Sequence, residues 1–276
     1  MNITKTAFGL RVSDFGGMNL GLTLDCGQCF RWRRLSDGAW TGVVGGYVAR
    51  IIEDGDDLIF LGMDEDTFNN VFYEYFDFGR DYASALNTLA QDRVLADTIS
   101  RYGTIRILNQ QPWETLCSFI LSSCNNIARI KGIIERLCES FGEELKGGFA
   151  FPTPERLAVL EESDLDCIRC GYRAEFVLDA ARKVAAGEID LEALANMPLN
   201  EARKELMKIK GVGVKVADCT LLFGLRHMSA FPKDRHILRI AAHAYPDGLP
   251  ECTKGLEGLA QQYMFHFQRT ENGLMV

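Results

Sequence analysis

The chain has 276 residues, 47% of them apolar, and its 38 acidic and 30 basic residues give a formal net charge of −8. That length and apolar share suffice for one large domain or two smaller ones with a sizeable core, and they argue against disorder. No window approaches the ~20 apolar residues that span a bilayer, and the start MNITKTAFGL lacks the apolar core of a signal peptide, so a cytoplasmic location is expected (at the nucleoid in a bacterium).

Taken from the N-terminus, the first ~95 residues read mainly as strands and turns. CFRWRR (29–34) and AWTGVV (39–44) are predicted strands joined by Ser36-Asp37-Gly38, and YVARIIEDGDDLIFLG (47–62) holds two β-rich runs around an Asp-Gly turn. Glycine is dense in 16–62 and no proline precedes Pro112, as an antiparallel sheet with tight turns requires. From about residue 67 the apolar period becomes helical. Trp113, Leu116, Cys117, Ile120 and Leu121 form one stripe behind Pro112, and Ile127, Ile130, Ile134, Leu137 and Phe141 form another. TPERLAVL starts a further helix with Thr153 as N-cap and Pro154 in its first turn, and AEFVLDAARKVAAG stops at Gly187. The predicted class is α+β: a small antiparallel β-rich domain (1–95) that carries GQCFRW, packed on a larger all-α domain (96–276).

Nine cysteines is an odd count, which argues against a disulfide framework. Cys26–Cys29 and Cys167–Cys170 are C-x-x-C pairs, and two such pairs can close a zinc site. They lie roughly 140 residues apart, however, and the first sits in an apolar-aromatic setting. Reduced, partly buried thiols are expected, with no metal and no organic cofactor. Only Cys252 lies beyond residue 219, so the spacing of a C-terminal iron–sulfur loop is absent.

PLNEARKELMKIKGVGVKVADCTLLFG (198–224) divides into helix, four-residue turn and helix. Leu199, Ala202, Leu206 and Ile209 stripe the first helix; Val214, Ala217 and Leu221 stripe the second. GVGVKV does not fit a P-loop, and no strand precedes it, which also removes a Rossmann fingerprint. A helix–hairpin–helix survives. Gly211 and Gly213 let the backbone approach a partner, and amides entering the second helix can hold a phosphate. An ordinary helix–helix corner fits that pattern as well.

Lys215 shifts the balance. It lies where a helix dipole and any burial both favour the neutral amine, and a neutral lysine is a nucleophile able to form a Schiff base. An amine attacking a sugar carbon also needs a carboxylate against the positive charge that grows as the base leaves. SAFPKDRHILRI offers Asp234, which is also a strong N-cap candidate for the helical run that follows.

LMKIKGVGVKVADC, followed 19 residues after the lysine by FPKD, resembles the helix–hairpin–helix/Gly-Pro-Asp superfamily of DNA glycosylases. The closer resemblance is to the 8-oxoguanine DNA glycosylase/AP lyase family. GQCFRW (27–32), SSCNNIARI (122–130), CGYRAEFV (170–177), GVGVKVADC (211–219), FPKDRH (231–236) and AQQYMF (260–265) match it in order along nearly the whole chain.

The resemblance implies a bifunctional enzyme, acting as a monomer on double-stranded DNA that contains 8-oxoguanine. Lys215 is then the nucleophile and Schiff-base residue, and Asp234 stabilises the sugar cation. The Gly27 carbonyl accepts the ring N–H that 8-oxoguanine has and guanine lacks. Cys219 and Phe265 sandwich the damaged base while Gln261 reads its pairing edge, and His236, Gly211 and Gly213 contact the DNA backbone. On the other strand Arg129 and Arg173 read the orphaned cytosine, whose acceptors suit guanidinium donors, with Tyr172 as wedge and Asn126 beside them.

Two positions depart from the family pattern. Cys124 replaces the first of three asparagines, the one that fills the hole left by the extruded base, and Cys29 replaces the usual serine of GQS. Two alternatives stand beside the enzyme reading: a glycosylase for another damaged base, and a non-catalytic helix–hairpin–helix DNA-binding protein. The second has no use for a Lys215/Asp234 pair. The negative net charge weighs against a duplex binder, yet bases concentrate in 31–34, 169–173, 203–215 and 226–239, which leaves one positive face possible.

Overall fold

Alternating buried and exposed side chains build one antiparallel sheet at the N-terminus. The computed structural model describes residues 1–270, with the backbone alone over 268–270. Its strands are β1 (Asn2–Thr6), β2 (Gly9–Ser13), β3 (Arg33–Arg34), β4 (Trp40–Val44), β5 (Tyr47–Asp54) and β6 (Asp57–Leu61), in the order β1-β2-β6-β5-β4-β3. The predicted Asp-Gly hairpin joins β5 to β6, with Asp54 opposite Asp57 and Gly55 at φ +64°. The inward residues of the sheet, Leu10, Val12, Trp40, Ala49, Ile51 and Phe60 among them, close on an aromatic strip. That strip comprises α2 (Glu65–Thr67), a π turn (Phe68–Phe72) and α3 (Tyr73–Tyr75), which place Phe68 edge-on to Phe60 at 5.0 Å.

CFRWRR does not form the predicted strand; only Arg33–Arg34 pair with β4. The reason is that the segment crosses between two cores. Phe30 packs into the helical core against Phe119, with ring centroids 5.6 Å apart. Trp32 belongs to the sheet core, where its indole N–H donates to Tyr75 Oη at 2.8 Å. In a strand these two side chains would share one face. The preceding α1 (Leu20–Asp25), capped by the Asn19 side chain, is a helix within the predicted β-rich part.

The helical part follows as α4 (Tyr82–Leu89), α5 (Arg93–Tyr102), α6 (Pro112–Ser122), α7 (Ile127–Phe141), α8 (Pro154–Ala158), α9 (Arg173–Ala185) and α10 (Leu191–Ala195). After these come α11 (Leu199–Leu206), α12 (Val214–Phe223), α13 (Arg235–Ala244) and α14 (Glu257–Thr270). Pro112 opens α6, and Thr153 caps α8 by accepting from the Arg156 N–H, both as predicted. A two-stranded hairpin, β7 (Glu144–Leu145) with β8 (Gly148–Phe149), interrupts the expected all-α domain. Gly147 at φ +101° makes its turn, and Arg31 donates to the Phe149 carbonyl, so the hairpin is tied to the crossing segment.

The two cores interlock: Phe30 lies in the helical one with Tyr82 and Leu95, and Leu108 lies in the sheet one. Among the described residues no helix is long and apolar enough to cross a membrane.

Candidate active site

The turn between α11 and α12 runs over Met207–Gly213, seven residues rather than the predicted four. Ile209 and Val212 turn inward to the core, with the Val212 N–H on the Ile209 carbonyl at 3.1 Å, and that shortens the first helix. The two glycines have different jobs. Gly211 sits at φ +76°, and a Cβ there would lie 2.2 Å from the Phe176 ring, so only glycine fits. Gly213 has φ −95° and caps α12, and nothing lies within 4 Å of a Cβ built on it. It leaves open space in front of first-turn amides that have no intrahelical acceptor. The turn is held from beneath by Asp179, which accepts from the Lys210 N–H at 2.7 Å and from Lys183 Nζ at 2.8 Å.

Lys215, half-buried in the first turn of α12, donates to Ser122 Oγ at 3.3 Å and stands 5.1 Å above the Phe119 ring. The amine therefore faces the C-terminal end of α6. One turn on, Cys219 is buried, and burial pushes its thiol up to about 11 against the opposing pull of Lys215; the carboxylates of Asp218 and Asp234 raise it further. At neutral pH Cys219 is thus a soft apolar surface, not a second nucleophile. Asp234 caps α13 as predicted, with Oδ1 accepting from the His236 N–H at 2.9 Å and the Ile237 N–H at 2.8 Å. Lys215 and Cys219 lie one turn apart on α12, and Asp234 opens the next helix, α13.

Gly27 brings the crossing segment to that site. At φ +89°, a Cβ on it would lie 3.2 Å from Ile127 Cδ1 and 3.4 Å from Phe265 Cε1. Gln28 fixes it there: this buried amide donates to the carbonyls of Thr23 (2.9 Å) and Arg106 (2.8 Å) and accepts from the Leu108 N–H (2.9 Å). Phe265 meets the His236 ring edge-on at 6.1 Å. Gln261, one turn before Phe265, is buried and donates to the Pro232 carbonyl at 3.3 Å. GQCFRW, FPKDRH and AQQYMF therefore converge.

The expected opposite-strand residues are arranged differently. Tyr172 is 58% exposed, edge-on to Phe176, with the Arg173 guanidinium 4.5 Å over its ring. Arg173 itself is only 4% exposed. It donates to the Ser123 carbonyl (Nε, 2.9 Å), the Cys170 carbonyl (Nη1, 3.1 Å) and the Cys124 carbonyl (Nη2, 3.4 Å). Its donors thus hold the end of α6, which makes it neither a solvated charge nor, in this state, a side chain presented outward. Asn126 caps α7, its side chain accepting from the Arg129 N–H at 2.9 Å. Asn126 and the Arg129 side chain are exposed on either side of Ile127, the residue against Gly27. Cys124 is exposed at φ +51°.

Sequence reasoning missed Ser122, whose hydroxyl meets Lys215, and Phe119, although Ser122 opens the quoted SSCNNIARI segment. A cavity of about 610 Å³, lined by Trp32, Lys131, Glu135 and Phe149, contains none of the predicted site residues. Among the described residues no three His, Cys, Asp or Glu side chains gather as metal ligands.

Known proteins carry the same two-part architecture. Residues 12–116 match the 8-oxoguanine DNA glycosylase N-terminal domain, and residues 117–249 match the HhH-GPD superfamily of base excision DNA repair proteins. MBOgg1, solved in complex with a low-affinity DNA ligand, is 38% identical over 99% of both chains, with a TM-score of 0.92. The chain belongs to the 8-oxoguanine DNA glycosylase family. A second family member, the Clostridium acetobutylicum 8-oxoguanine glycosylase/lyase, was solved with double-stranded DNA carrying cytosine opposite 8-oxoguanine. It is 34% identical over 99% of both chains, again with a TM-score of 0.92. The N-glycosylase/DNA lyase of Saccharomyces cerevisiae is 39% identical over 157 residues, 51% of this chain and 42% of its own length. The chain thus covers less than half of that family member.

Proposed function

We propose that this protein flips 8-oxoguanine out of duplex DNA from opposite cytosine, cleaves its glycosidic bond and then nicks the strand. The observation that carries the reading is Lys215 in the first turn of α12, its amine on Ser122 and one turn from Cys219, with Asp234 capping the helix that follows. The kinship with glycosylase/lyases solved on DNA supports it.

In this mechanism the Lys215 amine forms a bond to C1′ as the C1′–N9 bond breaks, and the base leaves with the electron pair. The Asp234 carboxylate stands against the positive charge that develops on the sugar. Ring opening converts the C1′ adduct to a Schiff base, whose C2′ proton is then acidic enough to leave together with the 3′-phosphate. Gly27 supplies the carbonyl that accepts the N7–H of the lesion, and Cys219 and Phe265 supply the flanking surfaces. Gln261 reads the pairing edge. Arg129 and Arg173 serve the orphaned cytosine, with Tyr172 as wedge. The open Gly213 amides and His236 hold phosphates, a term that weakens steeply with salt. Lys233 and Arg235 are exposed on either side of Asp234 and offer further cation at that edge.

Borohydride trapping with 8-oxoguanine opposite each of the four bases tests the reading. Wild-type protein should give a covalent adduct, most rapidly opposite cytosine, and Lys215→Gln should lose it along with roughly a thousand-fold or more of base excision. No adduct from wild type, or an adduct from Lys215→Gln, overturns the assignment.

A further inference from the structure

The two groups assigned above to lesion reading sit on separate parts of the chain: Gly27 on the crossing segment, Gln261 on α14. A run of hydrogen-bonded side chains connects them. Cys26 Sγ donates to Gln262 Oε1 at 3.0 Å, Gln262 Nε2 donates to Gln261 Oε1 at 2.8 Å, and Gln261 Nε2 donates to the Pro232 carbonyl at 3.3 Å. Cys26, Gln262 and Gln261 are 0%, 2% and 4% exposed. The run thus begins one residue before Gly27 and ends two residues before Asp234.

Its polarity is fixed at the Pro232 end. A peptide carbonyl only accepts, so Pro232 holds Gln261 with its nitrogen on that side. Gln262 presents an N–H to the other side, and the thiol proton of Cys26 holds Gln262 in the matching sense. The alternative acceptor for that thiol, the Thr23 carbonyl, is farther off at 3.7 Å. Turning either amide over would set donor against donor or acceptor against acceptor in a buried place, which is costly. A primary amide free to turn offers a base either pattern at almost the same shape. One that cannot turn reads a single pattern.

We infer that Cys26 and Gln262 are positioning residues for lesion specificity, fixing the orientation of the Gln261 amide and its distance from the Gly27 carbonyl. The inference rests on Gly27 and Gln261 as lesion readers. Neither Cys26 nor Gln262 needs to touch DNA. Both act through a neighbour, one along the chain and one through the hydrogen bond.

Single-turnover excision of 8-oxoguanine opposite cytosine, excision of undamaged guanine, and borohydride trapping on a preformed abasic site together form the test. Gln262→Leu, which removes both polar ends, should slow 8-oxoguanine excision about tenfold and narrow the preference over guanine. Trapping at the abasic site, where no base is left to read, should be unchanged. Cys26→Ala should behave the same way, and Cys26→Ser, which keeps a donor, should restore most of the loss. Should Gln262→Leu fail to fold, the Cys26 pair carries the same comparison. Wild-type rates and selectivity in Gln262→Leu and Cys26→Ala overturn the inference. So does abasic-site trapping that falls in step with excision, or Cys26→Ser no better than Cys26→Ala. In those cases wild type still excises 8-oxoguanine and the function stands. A wild-type protein that leaves 8-oxoguanine in place removes the function and the inference with it.

Discussion

Two consecutive residues at the end of α6 face two different halves of the site. The Ser122 hydroxyl receives the Lys215 amine, while the Ser123 carbonyl receives the Arg173 guanidinium. On the lysine side, what the fold needs and what the chemistry needs coincide. Gly211 must be glycine to pass Phe176, and Asp234 caps α13 with the carboxylate proposed to serve the reaction. On the opposite-strand side the two needs compete. Arg173 spends its donors on backbone carbonyls, and Asn126 spends its oxygen on a helix cap. On the proposed roles, the catalytic half is therefore preorganised, whereas the half assigned to the orphaned base has its donors and acceptor engaged within the protein.

The sharpest way to break that contrast is Asp234→Asn. Asparagine caps as well as aspartate, so stability should move by less than about 1 kcal/mol. The charge is lost, and excision should fall by roughly a hundred- to a thousand-fold, or ~3–4 kcal/mol on the barrier. Thermal melting beside single-turnover kinetics checks both. A collapse of melting temperature together with activity would show that the two roles cannot be separated.

Next in size are the hairpin glycines. Gly211→Ala forces both a left-handed φ and a clash with the Phe176 ring, and should destabilise by about 3 kcal/mol in equilibrium denaturation. Gly213→Ala meets open space at an ordinary φ, so stability should change by less than about 1 kcal/mol. Its effect should appear instead as weaker binding to undamaged duplex, with a smaller dependence on salt. Equal destabilisation by the two alanines would refute the division of labour.

What could be read in the sequence, and what could not, follows the range of each interaction. The Asp54–Asp57 hairpin, the Pro112 helix start and the Thr153 and Asp234 caps depend on neighbours within a few residues, and all four were legible. The CFRWRR crossing and the seven-residue turn were not, because each is set by which core claims Phe30, Trp32, Ile209 and Val212. The partner of Lys215 lies 93 residues away, and that of Cys26 lies 236 away. No local pattern marks either. The resemblance to a known family supplied those positions only where a motif existed, and Ser122 and Gln262 stand inside quoted motifs without having been singled out.

Arg173→Ala tests the competing half. It leaves the Ser123 and Cys170 carbonyls without their charged donor, and should lower stability by about 2 kcal/mol. Preference for cytosine over the other three opposite bases should fall at the same time. Arg173→Lys keeps the charge but not the fork, and should recover part of the stability and little of the preference. Loss of preference with unchanged stability would mean that the carbonyl bonds contribute nothing to holding the α6 end.

The smallest expected effect lies at Cys124, and it has the opposite sign. Its φ of +51° is a conformation that glycine and asparagine adopt readily and most side chains do not. The Arg173 contact with its carbonyl helps to hold it there. Cys124→Asn should therefore relieve strain and raise stability by about 0.5–1 kcal/mol, visible as a higher denaturation midpoint at unchanged slope. Asparagine also brings an amide that hydrogen-bonds an orphaned base, whereas a thiol barely does, so excision opposite cytosine should rise a few-fold. Cys124→Ala separates the two contributions, since it removes the thiol without easing the backbone and should gain on neither axis. If asparagine raises stability and leaves the rate alone, then this position supports the turn and the hole in the duplex is filled from elsewhere. Asn125 is the adjacent residue with an amide of its own, provided its side chain leaves the Leu121 carbonyl.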